Sequence, residues 1–530
     1  METVLIDGRW QPSREQVGSF RAENPATGEA IGPEFPVSGA ADVELALTSA
    51  AAAAPALADT DPERIAAFLD TYASGIDAAA GDLCALANEE TALGVKPRLR
   101  DVELPRTVNQ LRLAAQAARS RTWTQPVIDT QAGLRSLFAP LGKPVAVFGP
   151  NNFPLAFNAV SGGDFAAAIA ARNPVIAKAH PAHPQTCREL AKLAHAALNK
   201  VHLPTATVQM LYHMPAELGL KLASDRRMGA VAFTGSRAGG LALKAAADKA
   251  GVPLYAEMSS INPVFMLPGA LAERGAEIAR EFAASCLAGS GQFCTNPGVV
   301  IVPADETGDA FVQAAREAFE AAPAGTLLAR SVLDHLQQSV SALRGAGAEV
   351  LCGGNPAGAP AFRFQPTLLV TDATRFAADA PALQQEAFGP VSLIVRADGD
   401  AAMESVAQSF EGNLTGTIYS ARDGQDDMLA RRIASALRPR VGRLLNDRMP
   451  TGVAVSAAMN HGGPYPATGH PGFTSVGLPA SIRRFAALEC YDHVREDRLP
   501  PELRDRNPDG RLQRCIDGVW TTADVAGASA

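Results

Sequence analysis

The chain has no long run of charge of one sign. Its 530 residues include 47 lysines and arginines against 55 aspartates and glutamates, a formal net charge of -8. A mild acidic excess with no basic stretch to offset it argues against a nucleic-acid partner. An unbroken apolar start is missing too, because Asp7 and Arg9 interrupt METVLIDGRW where a secretory signal would run on. Alanine-rich stretches further along, such as DFAAAIAARN, are broken by charge well short of a membrane-spanning length. The seven cysteines, from Cys84 to Cys515, include no CxxC pair and no cysteine–histidine cluster of zinc-site spacing. Neither a disulfide framework nor a metal is therefore expected. No internal repeat is visible. These absences leave a cytoplasmic protein without nucleic-acid or membrane partners.

What is present is globular: 47% of residues are hydrophobic and 19% charged. A chain this long should divide into two or three domains. VLIDGRW and SFRAENPATGEAIG read as hairpins, with turns at Asn24-Pro25 and Thr27-Gly28, and helical sequence follows from about Ala40 to Ala118. Short apolar runs at 144–149, 174–179, 207–212, 229–235 and 252–258 then alternate with helical segments. That alternation predicts an α/β fold with a doubly wound, Rossmann-type parallel sheet covered on both faces. A second α/β block spans about Asn262 to Val455. It holds a helix near Leu271–Leu287 and strands at GVVIV, PTLLVT, PVSLIV and TGTIYS. The last stretch, rich in proline and charge, reads as a surface-hugging tail.

Three places carry chemistry. In GAVAFTGSRAGG a strand runs into Gly235, Ser236 and Gly240 and then a helix, an arrangement that lets backbone N–H groups meet a phosphate; an ordinary strand–helix turn would look the same. Cys294 follows a glycine-rich approach in GSGQFCTNPG. A thiol attacks as thiolate, so a nucleophile there needs an exposed, electropositive setting, whereas Cys286 reads as a small buried hydrophobe. Glu257 closes an apolar strand, where parallel sheets place their active sites. Partial desolvation would raise its pKa and suit it as a general base, although a solvent-facing strand end is the plainer alternative.

Together, FGPNNFP, AKAH, FTGS, EMSSINP, GSGQFCT and EAFGP resemble, in order and spacing, the aldehyde dehydrogenase superfamily, from NPATGE to about Tyr491. KAHPAHP, YAEMSSINP, SGQFCTNPG, HGGPYPAT and LPPELRDRNPDG are similar to the branch holding 2-oxoglutarate semialdehyde (2,5-dioxopentanoate) dehydrogenases and an NADP-linked fatty aldehyde dehydrogenase. The resemblance implies that Cys294 attacks the aldehyde. The oxyanion would be held by the Asn152 amide and the Cys294 N–H. Glu257 would then activate the water that hydrolyses a thioester, a residue that CoA-acylating relatives typically lack. A catalytically silent homologue is disfavoured, since Cys294, Glu257 and Asn152 are all present.

For the cofactor, the resemblance assigns Lys178 to the adenosine ribose, with His180 beside it. Gly235, Ser236 and Gly240 go to the pyrophosphate, Glu386 to the nicotinamide ribose and Phe388 to the ring. Many NAD-preferring members carry Glu three residues after the lysine. Pro181 stands there instead, so a 2′-phosphate meets no like charge, and NADP is expected alongside NAD.

His461, the branch's distinctive histidine, would either lie near the substrate tunnel and tune Cys294 or Glu257, or be a hydrogen-bonded histidine that braces a glycine-rich loop. Phe153, Phe157 and Phe293 would wall the tunnel and could suit a medium or long aliphatic aldehyde, but such aromatics are common walls throughout the family and do not decide against 2,5-dioxopentanoate, the expected substrate. Arg448 could meet the carboxylate of a keto-acid semialdehyde, or be a solvated surface residue. The implied division is an NAD(P)-binding domain (1–122 and 143–258), a catalytic domain (259–458), a β-hairpin oligomerisation arm and interface (123–142 and 459–495), and a tail (496–530). A homodimer or dimer of dimers is implied.

Overall fold

A computed structural model describes residues 1–526. Its first sheet has seven strands: β1 (Val4–Ile6), β2 (Arg9–Gln11), β3 (Val145–Phe148), β4 (Val175–Lys178), β5 (Val208–Leu211), β6 (Ala230–Thr234) and β7 (Leu254–Glu257). The five predicted apolar runs are β3 to β7, all mutually parallel. They read as continuous apolar segments because helices cover both faces, and Val145, Val175, Val208 and Ala230 are all fully buried.

The strand order is β7-β6-β3-β4-β5-β1-β2. The chain winds outward from β3 to β5, then returns to lay β6 on the other side of β3. At that reversal the carboxyl ends of the strands open a crevice, where folds of this kind bind ligands. Asn152, Lys178, Gly235 and Glu257 all sit at those ends.

The second sheet holds β8 (Val264–Met266), β9 (Val299–Pro303), β10 (Glu349–Cys352), β11 (Thr367–Asp372), β12 (Val391–Ala397), β13 (Asn413–Tyr419) and β14 (Val441–Asn446), in the order β10-β11-β12-β9-β8-β13-β14. Only β10 runs antiparallel to its neighbour. Asn262, Cys294 and Glu386 stand just before β8, β9 and β12. Carboxyl ends of the first sheet thus face amino ends of the second, and the candidate residues line the seam. Four helices matter below: α1 (Leu104–Ser120), α2 (Pro184–Val201), α3 (Arg237–Ala250) and α4 (Pro268–Leu287).

Two expectations change. The helix Ala40–Ala58 is long and apolar enough, by length and composition, to cross a membrane. Its two acids did not prevent that, but it is a core helix: Val43, Ala46, Leu47 and Ala50 are buried. Its Asp42 is buried too, accepting hydrogen bonds from the Arg14 N–H (2.7 Å) and the Ser13 hydroxyl.

The tail does more than hug the surface. Arg514–Ile516 pairs with the arm strand Val127–Asp129, and Val519–Thr521 follows it, extending the hairpin Val127–Asp129/Leu134–Pro140 and strand Ala486–Asp492 into a five-stranded sheet. Leu499, Leu503 and Val525 pack on Ile128 and Leu137. Arg514 is fully buried, donating to the carbonyls of Arg504, Asp505 and Ala523. Polar composition hid this, because an arginine satisfied by carbonyls reads as surface in sequence. The last four residues of the tail, 527–530, lie outside the described residues.

Leu503→Ala should loosen this docking by about 2–4 kcal/mol, the usual cost of emptying a fully buried leucine site. Limited trypsin digestion should then cut the tail at Arg504, Arg506 or Arg511 markedly faster than in the parent. An unchanged rate would mean that the tail is not held by this cluster.

Candidate active site

Glu257 ends β7 and is 1% exposed. Its backbone is fixed on both sides: the Gly235 N–H donates to its carbonyl (3.1 Å), and the Met258 N–H donates to the Ala467 carbonyl (2.8 Å). Its Oε2 accepts from the Ser475 hydroxyl at 2.9 Å. Its Oε1 lies 2.9 Å from His461 Nε2 but has no aligned hydrogen-bond partner. The imidazole aims instead at Cys294 Sγ, 3.4 Å away. One atom from each of Glu257, Cys294 and His461 therefore falls within 4.8 Å of the other two. The sulfur, nitrogen and oxygen also make a donor set of the kind that binds zinc. No spacing rule exposes it, since the three residues are far apart in sequence.

The electrostatics reverse two expectations. Burial pushes the Glu257 carboxyl up, but His461, Ser475 and Cys294 together outweigh it and hold the group below the ordinary carboxylate range. Burial and then the neighbouring Glu257 and Glu386 charges push the Cys294 thiol well above its usual value, against the pull of Arg106. The nucleophile at rest is thus a neutral thiol beside a charged carboxylate. Its setting is not the electropositive one that was expected.

Cys294 is half-buried, reached through α4 and the turn Ala288–Gly291. Gly291 has φ +71°, and a Cβ there would sit 2.0 Å from the Gly389 carbonyl oxygen, so only glycine lets the loop pack this closely. The Cys294 carbonyl accepts from Asn262 Nδ2 (2.9 Å), which also holds the Asn296 carbonyl (2.9 Å). Asn262 lies inside the EMSSINP motif, yet its bracing role was not anticipated from sequence. Neither were Ser475 or Glu103. Buried Glu103 accepts the N–H groups of Leu155 (2.8 Å) and Ala156 (3.0 Å) and pairs with Arg98, which itself donates to the Asn152 carbonyl (3.0 Å). This network sets the Asn152 loop against the nucleophile loop, where Asn152 Nδ2 donates to the Gln292 carbonyl at 3.0 Å. Among the described residues the Cys294 N–H meets no acceptor.

A cavity of about 590 Å³ opens on Cys294 and His461. Phe153, Phe157 and Phe293 wall it as expected, in edge-to-face contacts with centroids 5.1 and 5.5 Å apart. Four arginines line it as well (Arg98, Arg106, Arg443 and Arg448) and no aspartate or glutamate does. Only Arg98 has an ion-pair partner among the described residues. Arg448, the one singled out from sequence, is exposed. Arg106 sits on the first turn of α1, where the sequence showed only a charged helical face.

The cofactor candidates are not among the residues that line this cavity. Lys178 ends β4, and burial pushes its amine down to about 8. Among the described residues no side chain or carbonyl pairs with it, which fits a hydroxyl-bearing ligand. Burial, then His183 and Lys178, keeps His180 neutral. Ser236 is the N-cap of α3, its hydroxyl accepting the Gly239 N–H (3.3 Å), and the Gly235 N–H is spent on Glu257. The N–H groups of Ser236, Arg237 and Ala238 remain to meet a phosphate at the helix mouth. Gly240 serves packing, since a Cβ there would lie 2.7 Å from Met258. Glu386 accepts from the Ser260 N–H (3.3 Å) and lines a cleft with Phe388 and Phe293. The set fits a nicotinamide dinucleotide lying across the strand crossover.

Residues 10–463 match the aldehyde dehydrogenase family. The chain is 41% identical over 503 residues to alpha-ketoglutaric semialdehyde dehydrogenase 2 of Azospirillum brasilense, covering 93% of this chain and 94% of that one. It is 36% identical to the alpha-ketoglutaric semialdehyde dehydrogenase of Acinetobacter baylyi, covering 87% and 88%. Among solved structures, a mutant of aldehyde dehydrogenase C from Pseudomonas syringae in complex with NAD+ and octanal shares the fold with a TM-score of 0.79 at 21% identity, covering 93% and 96%. The lactaldehyde dehydrogenase of Escherichia coli does so with a TM-score of 0.79 at 22% identity, covering 92% and 98%. With the family matched over most of its length and the thiol, amide and carboxylate together at one seam, the chain belongs to the aldehyde dehydrogenase family.

Proposed function

We propose that the protein oxidises 2,5-dioxopentanoate to the dicarboxylate through a thioester on Cys294, with NAD or NADP as oxidant. The observation that carries the chemistry is the convergence of Cys294 Sγ and His461 Nε2 on the unpartnered Oε1 of Glu257. A neutral thiol needs a proton acceptor as it adds to a carbonyl, and Glu257 stands beside it already ionised. Sulfur bonds to the aldehyde carbon, the thiol proton passes to Oε1, and the oxygen develops negative charge. The second N–H of the Asn152 amide, whose first meets the Gln292 carbonyl, and the Cys294 N–H would hold it, each contributing about 3 kcal/mol by the usual measure. His461, between sulfur and carboxylate, orients the transfer.

A nicotinamide dinucleotide supplies the hydride acceptor when bound. Lys178, the α3 mouth and Glu386 would hold it, leaving Cys294 acylated. Once the first proton has passed to solvent, Oε1 can take another from a water that attacks the acyl carbon. The carbon–sulfur bond then breaks, releasing acid and restoring the thiol. Pro181, in place of a ribose-binding glutamate, supports acceptance of a 2′-phosphate. Residues 1–122 and 143–258 would form the cofactor-binding domain and 259–458 the catalytic one. The exposed Leu488 and Trp520 on the arm sheet suit burial against a second copy.

For the aldehyde, the arginine-lined cavity favours an anionic substrate, as do the names of the two close relatives. The phenylalanine walls support an aliphatic aldehyde as the second reading. A kinetic panel should give 2,5-dioxopentanoate a kcat/KM at least about tenfold above hexanal and decanal, the scale of one unmet charge-assisted contact. Equal values would move the assignment to aliphatic aldehydes.

Glu257→Gln removes the acceptor for both the thiol proton and the proton of the attacking water, so it should slow the burst of reduced cofactor as well as steady turnover, the latter by about 10²–10⁴-fold. Normal turnover in that variant would remove Glu257 from its role. Without cofactor, the rate of Cys294 alkylation by iodoacetamide should still be rising past pH 9.0, the ordinary thiol value, because burial and Glu257 favour the protonated form. A plateau below pH 8 would show a thiolate at rest.

A further inference from the structure

An arginine fork is most useful to a ligand when its donors are not already spent, and the four arginines of the Cys294 cavity differ in this respect. Arg98 gives Nη1 to Glu103 and Nη2 to the Asn152 carbonyl, so its charge is offset and both Nη atoms are spent in holding the Asn152 loop, leaving only Nε unmet. Arg443 gives Nη1 to the Gly452 carbonyl and Nη2 to those of Pro450 and Gly452, bracing the loop beside the cavity. Arg448 has no partner among the described residues but is exposed, so water screens it.

Arg106 is unlike the other three. Nε donates to Gln110 Oε1 (3.3 Å) and Nη1 to the Val453 carbonyl (2.5 Å), which fixes the guanidinium from two sides. Phe157 and Phe153 lie 5.1 and 5.9 Å from its centre and keep it rigid. It has no acidic partner among the described residues, and its Nη2 is buried without any hydrogen bond. A buried cationic donor left unmet is destabilising, and such sites persist where a ligand completes them.

We infer that Arg106 is the residue that reads the distal carboxylate of the substrate, with Nη2 as the donor that the carboxylate completes. The inference rests on the reading of the substrate as a short semialdehyde acid. Its cation is presented on a helix, held by backbone and amide contacts, and flanked by aromatic rings. A planar carboxylate at one end of a short chain meets it while the aldehyde at the other end reaches Cys294. Neutral aldehydes of similar length fill the same phenylalanine-walled space but leave Nη2 unmet. Sites built to bond a polar group reject analogues lacking it far more strongly than apolar pockets reject a missing methylene.

The test compares kcat/KM for 2,5-dioxopentanoate with that for pentanal in the full-length enzyme with saturating cofactor. In Arg106→Met the ratio of the two should fall about 100-fold, chiefly through KM for the anionic aldehyde. Arg106→Lys, which keeps a cation but loses the fork, should lose about tenfold. Arg448→Ala should move the ratio less than about threefold, as a screened surface charge does. Equal losses for both aldehydes in the Arg106 variants would assign the residue to bracing the Val453 loop and overturn the inference, as would an unchanged ratio. Should the parent enzyme itself show no preference for the anionic aldehyde, the substrate reading fails first. Should Arg106→Met not fold, the lysine variant decides alone.

Discussion

A charged carboxylate must be kept charged where water hardly reaches. Glu257 is 1% exposed, and an isolated ionised group in such a place costs several kcal/mol or simply takes up a proton. Its charge survives because Ser475 donates to one oxygen and His461 stands against the other. Those partners come from a single loop that is itself stapled together: the Ser475 N–H donates to the His461 carbonyl (2.9 Å), and the His461 N–H to the Thr474 hydroxyl (3.0 Å). The end of β7, the glycine-rich loop at 461–463 and the segment at 474–475 are therefore one unit. The base, the imidazole and the position of the nucleophile stand or fall together. Changing Ser475 or Thr474 would act on Glu257 without touching any substrate.

That unit also explains why the thiol is not an activated thiolate. Placing a carboxylate within a few ångströms of sulfur raises the thiol by like-charge repulsion, on top of burial. Arg106 pulls the thiol down, but by less than burial and the carboxylates push it up. Here the base and the nucleophile are charged in turn, so the sulfur becomes reactive as it transfers its proton. Between turnovers it remains the less oxidisable neutral form.

The parts of this arrangement legible in sequence are those that depend on local pattern. Apolar runs of four or five residues, all but β7 followed directly by a helix, are enough to locate β3 to β7, because a doubly covered strand tolerates nothing else. Cys294, Glu257 and Asn152 become legible only through the resemblance of the motifs that hold them, GSGQFCT, EMSSINP and FGPNNFP, to the aldehyde dehydrogenases, since each residue alone leaves a plainer reading open. What sequence hides is sign and partnership. The local surroundings of Cys294 say nothing of Glu257, thirty-seven positions away, so its setting was expected to be electropositive. Arg106 looks like any residue on the polar face of α1, because the carbonyl of Val453 and the ring of Phe157 that define it come from distant segments. Gly235 and Gly240 sit in a phosphate-binding pattern, yet one serves Glu257 and the other Met258. The tail fails for a related reason: its arginine is satisfied by main-chain carbonyls, which composition cannot count.

Sorted by sign, the seam is polarised. The charges of Glu257 and Glu386 reach Cys294, and the cavity that opens on the same sulfur carries three arginines without acidic partners among the described residues, in a chain whose net charge is -8. At an effective dielectric near 20, two unit charges 4 Å apart interact by about 4 kcal/mol, so this separation is large enough to orient a small ion. An anionic aldehyde that entered carboxylate first would bring its charge against Glu257; entering aldehyde first, it leaves that charge among the arginines. The field thus selects the productive direction before any hydrogen bond to Arg106 forms. A neutral aldehyde feels no such torque and must rely on the shape of the phenylalanine walls. Charge separation across the sulfur is, on this view, a device for presenting one end of a two-ended substrate to the nucleophile.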